Sequence, residues 1–360
     1  MITNLRFALL ALLGSTTLLA QAPRHFVVPS EYTVNDAVSY EWLAGASRDL
    51  RQQTLIAETE IAPLVGQRLL ALELRRTTQN ELFAGGTMNW TVTLSTSPRT
   101  PLTCSSQYAA NVGTDAVEVF SGPVTLPTSP ANTNTKVGWT ADNTIRVAFT
   151  TPFLYLGGVL CVDVVGTPIP GQNANWWMAD AEFEDLSSTI VNLGGGCPPY
   201  GGPQGEWSGV AERTLVPGAH AQFFAYGVPN NLAIAMFGTG SPVGVPMAAF
   251  GFGVPTQCEL HLSSLLLFEL AVFVPEMDPN LMVRGGRADL ELQMGTDASF
   301  LGLTCTTQWI DLVTMHTSNA IQWTTASSVP TLGMALVEGH PAETGGLVSV
   351  HLAHVMRFEY

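Results

Sequence analysis

The chain has 360 residues, with 14 Lys and Arg against 29 Asp and Glu, and a formal net charge of −15. That length is enough for about two domains with a core each, and 46% hydrophobic residues exclude disorder as the main state. Because Lys136 is the only lysine, the chain offers no positive field for phosphate groups. Nucleic acid and anionic membranes are therefore excluded as expected partners.

The N-terminus has the pattern of a signal peptide. Arg6 precedes an apolar run over residues 7–20, and Ala20-Gln21-Ala22 provides the small residues that signal peptidase accepts. The run is interrupted by polar residues and is shorter than a membrane span requires. We expect residues 1–22 to be removed. The mature protein is then secreted or retained in the cell envelope, extracellular or periplasmic, without a membrane span.

After this leader, alternation of apolar and polar residues with a period of two dominates the chain. Trp90, Val92 and Leu94 alternate with Thr and Ser, which predicts a strand with one buried face. The same pattern, with the apolar set predicted to face the core, occurs in Leu70/Leu72/Leu74, Ile145/Val147/Phe149, Leu232/Ile234/Met236, Leu290/Leu292/Met294 and Val348/Val350/Leu352. Short strands divided by Gly and Pro turns predict an all-β chain of antiparallel, jelly-roll-like β-sandwiches. For residues 41–60 the sequence is consistent with either a helix or a strand, and the prediction is left undecided.

The domain boundary is predicted where glycine and proline are densest. Gly194-Gly195-Gly196-Cys197-Pro198-Pro199 and Gly201-Gly202-Pro203 form a turn-rich stretch between patterned segments. We therefore expect an N-terminal β-sandwich over residues 23–192 and a C-terminal one over 193–360. Within the second, the apolar runs 331–337 and 347–360 predict a terminal strand pair.

The five cysteines have no spacing typical of a zinc or redox site. In an oxidising compartment disulfides persist, and the predicted pairs are Cys104 with Cys161 and Cys197 with Cys258. Cys305 lies on the apolar face of an alternating segment and is predicted to be a buried thiol.

Acidic residues form one candidate metal site. Asp180, Glu182 and Glu184 alternate on one predicted strand face, and Asp185 adjoins them. Clustered carboxylate oxygens are the ligands that Ca²⁺ prefers, so calcium is the one cofactor that the sequence suggests. In a chain with 29 acidic residues, a solvated acidic edge is the alternative.

Two adjacent tryptophans form a candidate sugar-binding site. Trp176 and Trp177 follow the amide-rich residues 172–175, and an exposed indole ring stacks on a sugar while amides bind its hydroxyls. Since neighbours on a strand face opposite ways, at most one of the two belongs to the core.

No catalytic motif is present in the sequence. The chain lacks Gly-x-Ser-x-Gly and His-Glu-x-x-His, and His351 and His354 fall on opposite faces of a strand. Glycoside hydrolysis needs two carboxylates at a fixed separation, and 29 acids leave that pair undefined. The sequence therefore indicates a protein that is not an enzyme.

Several strings resemble a family of secreted, uncharacterised planctomycete proteins with two β-sandwich domains. In the first half they are the runs 89–97, 111–115 and 119–124. In the second half they are Gly196-Cys197-Pro198, residues 257–261, Gln308-Trp309, residues 317–321 and the closing run 353–360. Pro199 and Tyr200 depart from the small turn residues of that family. The resemblance implies export and β architecture, and no activity, ligand or catalytic residue.

Together these observations predict an exported, non-enzymatic structural or interaction protein. Its expected partner is a protein or glycan at the cell surface. The alternatives are a carbohydrate-binding module, assisted by calcium or not, and a glycoside hydrolase without a recognisable motif.

Overall fold

A computed structural model describes residues 23–132, 136–172, 177–197, 207–275 and 285–360. The predicted signal peptide, residues 1–22, lies outside the described residues and stays a prediction. In the described part the chain is built from strands with a few short helices, which confirms the all-β prediction.

The strands are numbered in chain order. They are β1 (His25–Val28), β2 (Ser39–Trp42), β3 (Leu50–Ile56), β4 (Arg68–Arg75), β5 (Gly86–Ser97), β6 (Val117–Leu126), β7 (Thr144–Leu154), β8 (Val159–Pro168), β9 (Met178–Phe183), β10 (Thr189–Gly194), β11 (Ser208–Val210), β12 (His220–Gly227), β13 (Leu232–Pro246), β14 (Glu259–Val272), β15 (Val274–Pro275), β16 (Gly286–Gln293), β17 (Thr304–Asp311), β18 (Ala320–Thr324), β19 (Met334–Gly339), β20 (Leu347–Ser349), β21 (Leu352–His354) and β22 (Met356–Glu359).

The helices are single turns. Two are α-helical, α1 (Glu58–Ile61) and α2 (Tyr108–Asn111), and the 3₁₀ turns are Ser30–Thr33, Ala62–Leu64, Pro101–Thr103, Ala141–Asn143, Glu212–Thr214, Met247–Phe250 and Ala298–Phe300. The undecided residues 41–60 thus contain the end of β2, all of β3 and most of α1. Within the described ranges, no helix is long and apolar enough to cross a membrane.

Strand pairing divides the chain into two units, and every pair is antiparallel. The outer unit holds the sheets β20-β19-β3-β8-β5-β6, β1-β22-β4-β7 and β2-β9-β21. The inserted unit holds β10-β18-β17-β13-β14 and β11-β12-β16-β15. The inserted unit, residues 189–324, is therefore placed in sequence between β9 and β19 of the outer unit.

This pairing differs from the predicted division at residues 192 and 193. β10 lies on the N-terminal side of that boundary, yet it pairs with β18 of the inserted unit. The predicted terminal strands do pair, β19 with β20, but β19 also joins β3 and β22 joins β1 and β4. The last strands of the chain thus join sheets formed by its first strands. A domain boundary predicted from local composition cannot detect pairing between segments so distant in sequence.

Each unit has its own core, and a third cluster joins them. In the inserted unit the two sheets face each other through aromatic rings, with Phe223 centred 5.0 Å from Phe237 and 5.4 Å from Trp323. Between the units, buried Val216 and Ala326 pack with outer-unit side chains that include Cys104, Tyr108 and Val337.

The alternation of apolar and polar residues correctly predicted the strands, but on β13 it predicted the wrong face to be buried. Trp90, Val92 and Leu94 are buried as predicted. On β13 the predicted core residues Leu232, Ile234 and Met236 point away from the sandwich, whereas Ala233 and Ala235 are fully buried. The aromatic rings of the facing sheet occupy the interior, so small alanines fit on the inner face of β13.

One predicted disulfide is present and the other is wrong. Cys197 and Cys258 are bonded, which closes a loop between residues 61 apart in sequence. Cys104 and Cys161 are free thiols buried in the cluster between the units, and Cys305 is a buried free thiol as predicted. Burial raises the pKa of Cys104 to about 12 and also raises the pKa of Cys161 and Cys305.

The buried thiols predict a labelling result. We expect Cys104, Cys161 and Cys305 to be unreactive towards a thiol reagent at pH 8 in the folded protein, because the thiolate is the reactive form and burial disfavours it. In denaturant without reductant, three thiols are expected to react. Labelling of Cys104 or Cys161 in the native protein would contradict this assignment. Reaction of only one thiol in the denatured protein would also contradict it.

Candidate functional site

The most unusual surface of the molecule is the edge strand β14. It pairs with β13 on one side, and within the described residues no strand pairs with its other side. Residues 263–270 are all exposed, which means that both faces of the strand and its free edge are open to solvent. Six apolar side chains on it are between 42% and 73% exposed, namely Leu265, Leu266, Leu267, Phe268, Leu270 and Val272.

Among the β13 residues opposite this run, the apolar surface continues only at Leu232, which is 40% exposed and lies opposite Val272. Ile234 and Met236, opposite Leu270 and Phe268, are half-buried because they pack against the cluster of Cys197, Met247, Cys258 and Ile310. Leu312 and Val313, just after β17, are exposed beside Leu232, whose carbonyl accepts the Leu312 N–H at 2.9 Å. We call β14 together with these neighbours the apolar edge. An exposed apolar patch of this kind is typical of an interaction surface.

Other long edge strands carry residues that prevent pairing. β6 contains Pro123 and β7 contains Pro152, and proline removes the N–H that a further strand would need. β14 contains no proline and no lysine or arginine between Glu259 and Val272. Its free edge is therefore able to accept another strand through backbone hydrogen bonds.

Sequence reasoning did not single out the apolar edge. A signal was present, since Leu265-Leu266-Leu267-Phe268 is a continuous apolar run without alternation. Such a run is typical of a strand buried on both faces, and only the sheet order shows that this one lies at an edge.

Of the two predicted sugar-binding tryptophans, the described residues include only Trp177, and it is not exposed. Trp177 is fully buried, its ring centroid lies 5.7 Å from that of Phe83, and its indole N–H donates to the carbonyl of Pro127 at 3.2 Å. It is a core residue and does not stack on a sugar. Trp176 lies outside the described residues.

Asp180, one predicted calcium ligand, is committed to a buried ion pair. It is fully buried, accepts from a guanidinium nitrogen of Arg75, and accepts from the Ala37 N–H at 3.2 Å. Burial outweighs the attraction to Arg75 and raises the pKa of Asp180 to about 6. Arg75 is itself 1% exposed and also contacts Asp36 at 3.6 Å.

Two of the other predicted calcium ligands also have protein partners. Glu182 accepts from the Tyr32 hydroxyl at 2.5 Å. Glu184 accepts from the N–H groups of Thr331 and Leu332 at 2.7 and 3.0 Å. Asp185 is exposed beyond the end of β9.

These four acidic residues do not form a compact set. Among the described residues, three metal-binding side chains come within 4.8 Å of one another only at His25, Glu73 and Glu359. No three of the predicted calcium ligands Asp180, Glu182, Glu184 and Asp185 therefore lie within that distance of one another, although Glu182 and Glu184 line one pocket.

The compact set at Glu73 and Glu359 is a structural ion network. Arg357 on β22 donates to Glu73 on β4, and Arg146 on β7 lies 3.4 Å from Glu73 and 2.6 Å from Glu359. Two guanidinium groups thus balance two carboxylates across neighbouring strands, which leaves no net negative charge for a cation.

Comparison of the chain with protein-family models, with curated proteins and with solved structures gives no match in any of the three.

Proposed function

We propose that this chain is an exported structural or interaction protein without enzymatic activity, acting at the cell surface or outside the cell, and that it associates through the apolar edge. The observation that carries the proposal is the row of exposed apolar side chains on an edge strand whose outer side pairs with no other described strand. Export rests on the leader pattern of residues 1–22 and on the resemblance to secreted planctomycete proteins. The disulfide between Cys197 and Cys258 is compatible with an oxidising compartment.

The partner that the edge fits is a second copy of the same chain. Antiparallel pairing of two β14 strands about a two-fold axis places the apolar run of one copy against that of the other. Within residues 263–270 the only charged side chain is Glu269, so the strands meet with little charge repulsion. The whole chains repel each other because each carries a formal charge of −15. Salt screens that repulsion, so self-association should strengthen as salt rises.

Sedimentation of the mature chain at 50 and 500 mM salt tests this. We expect a dimer whose population rises with salt, and we expect Leu266→Lys with Phe268→Lys to give a monomer at both. Leu156→Lys is the matched control, since Leu156 and Leu266 are both 73% exposed and Leu156 lies in the outer unit. A wild-type chain that stays monomeric at millimolar concentration and high salt would overturn the assembly role.

Export and the absence of enzymatic activity are tested by separate measurements. The exported protein should begin at Pro23, and a cytoplasmic protein that keeps residues 1–22 would contradict export. Hydrolysis of a glycan by the purified chain would replace the non-enzymatic proposal with the hydrolase alternative. Glycan binding through Trp176 would favour the carbohydrate-binding alternative.

A further inference from the structure

The end of the hairpin between β13 and β14 folds back over the outer face of its own sheet. We call this segment, residues 241–261, the flap. The pairing of the two strands shifts between Gly240 and Val245, and a bulge of this kind bends a hairpin. The side chains of Met247 and Cys258 are buried, whereas most of the turn between them is exposed. The flap therefore contacts the sheet through few side chains.

The flap covers apolar side chains next to the apolar edge. Ile234 and Met236 on β13 and Ile310 on β17 lie on the outer face of the sheet, and they pack in one cluster with the buried residues of the flap. Ile310 is 8% exposed, whereas Leu232, which lies on the same face outside this cluster, is 40% exposed. The flap thus marks where the open part of the outer face ends.

A disulfide and one amide side chain hold the flap on the sheet. Cys258 of the flap is bonded to Cys197, which follows β10. The Gln308 side chain on β17 accepts from the His261 N–H at 2.8 Å and donates to the Glu259 carbonyl at 2.7 Å. Both of these hydrogen bonds lie at the C-terminal base of the flap, so the disulfide is the attachment that fixes its turn.

We propose that the flap is a redox-controlled cover beside the apolar edge. With the bond between Cys197 and Cys258 closed, the flap shields Ile234, Met236 and Ile310. A dithiol reductant releases it. One thiolate of the reductant attacks a sulfur of the disulfide, its second thiol displaces the resulting mixed disulfide, and the reductant leaves as a cyclic disulfide while two cysteine thiols form. The released flap then exposes the apolar side chains beneath it.

Local opening of the flap has to precede its reduction. Cys197 is 1% exposed and Cys258 is 0% exposed, so a thiolate reaches neither sulfur while the flap lies on the sheet. Opening breaks few contacts, chiefly those of Met247, which is 3% exposed in the same cluster. The dithiol therefore traps the open form, and the rate of reduction measures how often the flap opens.

Hydrogen exchange of the mature chain with and without dithiothreitol at pH 8 tests the cover. Of the five cysteines only Cys197 and Cys258 are bonded, so the reductant has a single target. We expect amide exchange in residues 241–261 to accelerate about tenfold on reduction, while exchange in β5 and β8 of the outer unit stays unchanged. Cys197→Ala with Cys258→Ala should give the fast exchange without reductant. Unchanged exchange in the flap after reduction would overturn the proposal.

Two methionine variants distinguish opening of the flap from unfolding of the whole unit. Met247→Ala removes an apolar contact of the flap. Met294→Ala is the matched control, because Met294 is 4% exposed in the core between the two sheets of the inserted unit. Reduction by dithiothreitol should be about tenfold faster in Met247→Ala than in the wild type and unchanged in Met294→Ala. Equal acceleration in both would show that reduction requires global unfolding and would overturn the cover.

Sedimentation of the oxidised and reduced wild type measures the effect on self-association, and this step alone rests on the proposed function. We expect reduction to lower the dissociation constant of the dimer about tenfold, because side chains of the outer face join the buried apolar area. Leu266→Lys with Phe268→Lys should stay monomeric in both states while exchange in its flap still accelerates. A dimer with an unchanged dissociation constant would overturn control of assembly by the flap. A wild type that is monomeric in both states, with accelerated flap exchange, would overturn self-association and leave the cover intact.

Discussion

Lowering the pH from 7 to 5 is expected to reduce the unfolding free energy of the wild type by about 4 kcal/mol more than that of the double variant His351→Gln with His354→Gln. Both histidines are 2% exposed, and burial lowers the pKa of each from 6.5 to about 4. The Nδ1 of His351 has no partner among the described residues, so a proton on this ring would be charged and unsolvated.

The sign follows from proton binding. Between pH 6.5 and 4 the unfolded chain binds protons at these histidines and the folded chain does not, so their contribution to stability is lost as the pH falls. Glu41 and Asp180 act in the opposite direction, because burial raises the pKa of Glu41 to about 7 and that of Asp180 to about 6. These carboxyls are present in both proteins, so their effect cancels in the difference.

Urea unfolding of both proteins at pH 7 and pH 5 measures this difference. Gln at position 354 keeps a donor for the Trp42 carbonyl, which the His354 ring reaches at 3.2 Å. His340→Gln is the control, since His340 is exposed between β19 and β20. A double variant with the same change between pH 7 and pH 5 as the wild type would show that the two rings are protonated in the folded state.

The strands were predictable because alternation is a local property, but the position of each strand in its sheet is not. The alternating set Leu70, Leu72 and Leu74 identified β4, yet Glu73 and Arg75 on its predicted wet face are buried. β4 lies between β22 and β7, and Trp139 covers Arg75 with its ring centroid 4.9 Å from the guanidinium carbon. Which face is covered depends on segments distant in sequence.

The apolar edge was beyond prediction for the same reason. The apolar edge functions as a surface only because β14 is last in its sheet, and that order depends on the pairing of β13 with both β14 and β17.

Arg75→Met is expected to destabilise the folded chain by about 3 to 5 kcal/mol at pH 8. Arg75 donates to Asp180 and to the carbonyls of Asn35 and Val137, at 2.7 Å for Asn35 and 3.1 Å for Val137. Without the guanidinium, the fully buried Asp180 carboxylate loses its counter-charge and Asp36 loses a positive neighbour. An uncompensated buried charge costs far more than the pair contributes when intact.

The pH dependence and a second substitution identify the cause of this loss. In the wild type the pKa of Asp180 is already raised to about 6, and removing Arg75 raises it further, so Asp180 is neutral in the variant at pH 5. The destabilisation by Arg75→Met should therefore be smaller at pH 5 than at pH 8. Adding Asp180→Asn should recover part of the loss at pH 8, because no charge then remains unpaired at that position. A loss that is the same at both pH values and unchanged by Asp180→Asn would assign the effect of Arg75 to its packing against Trp139 rather than to its charge.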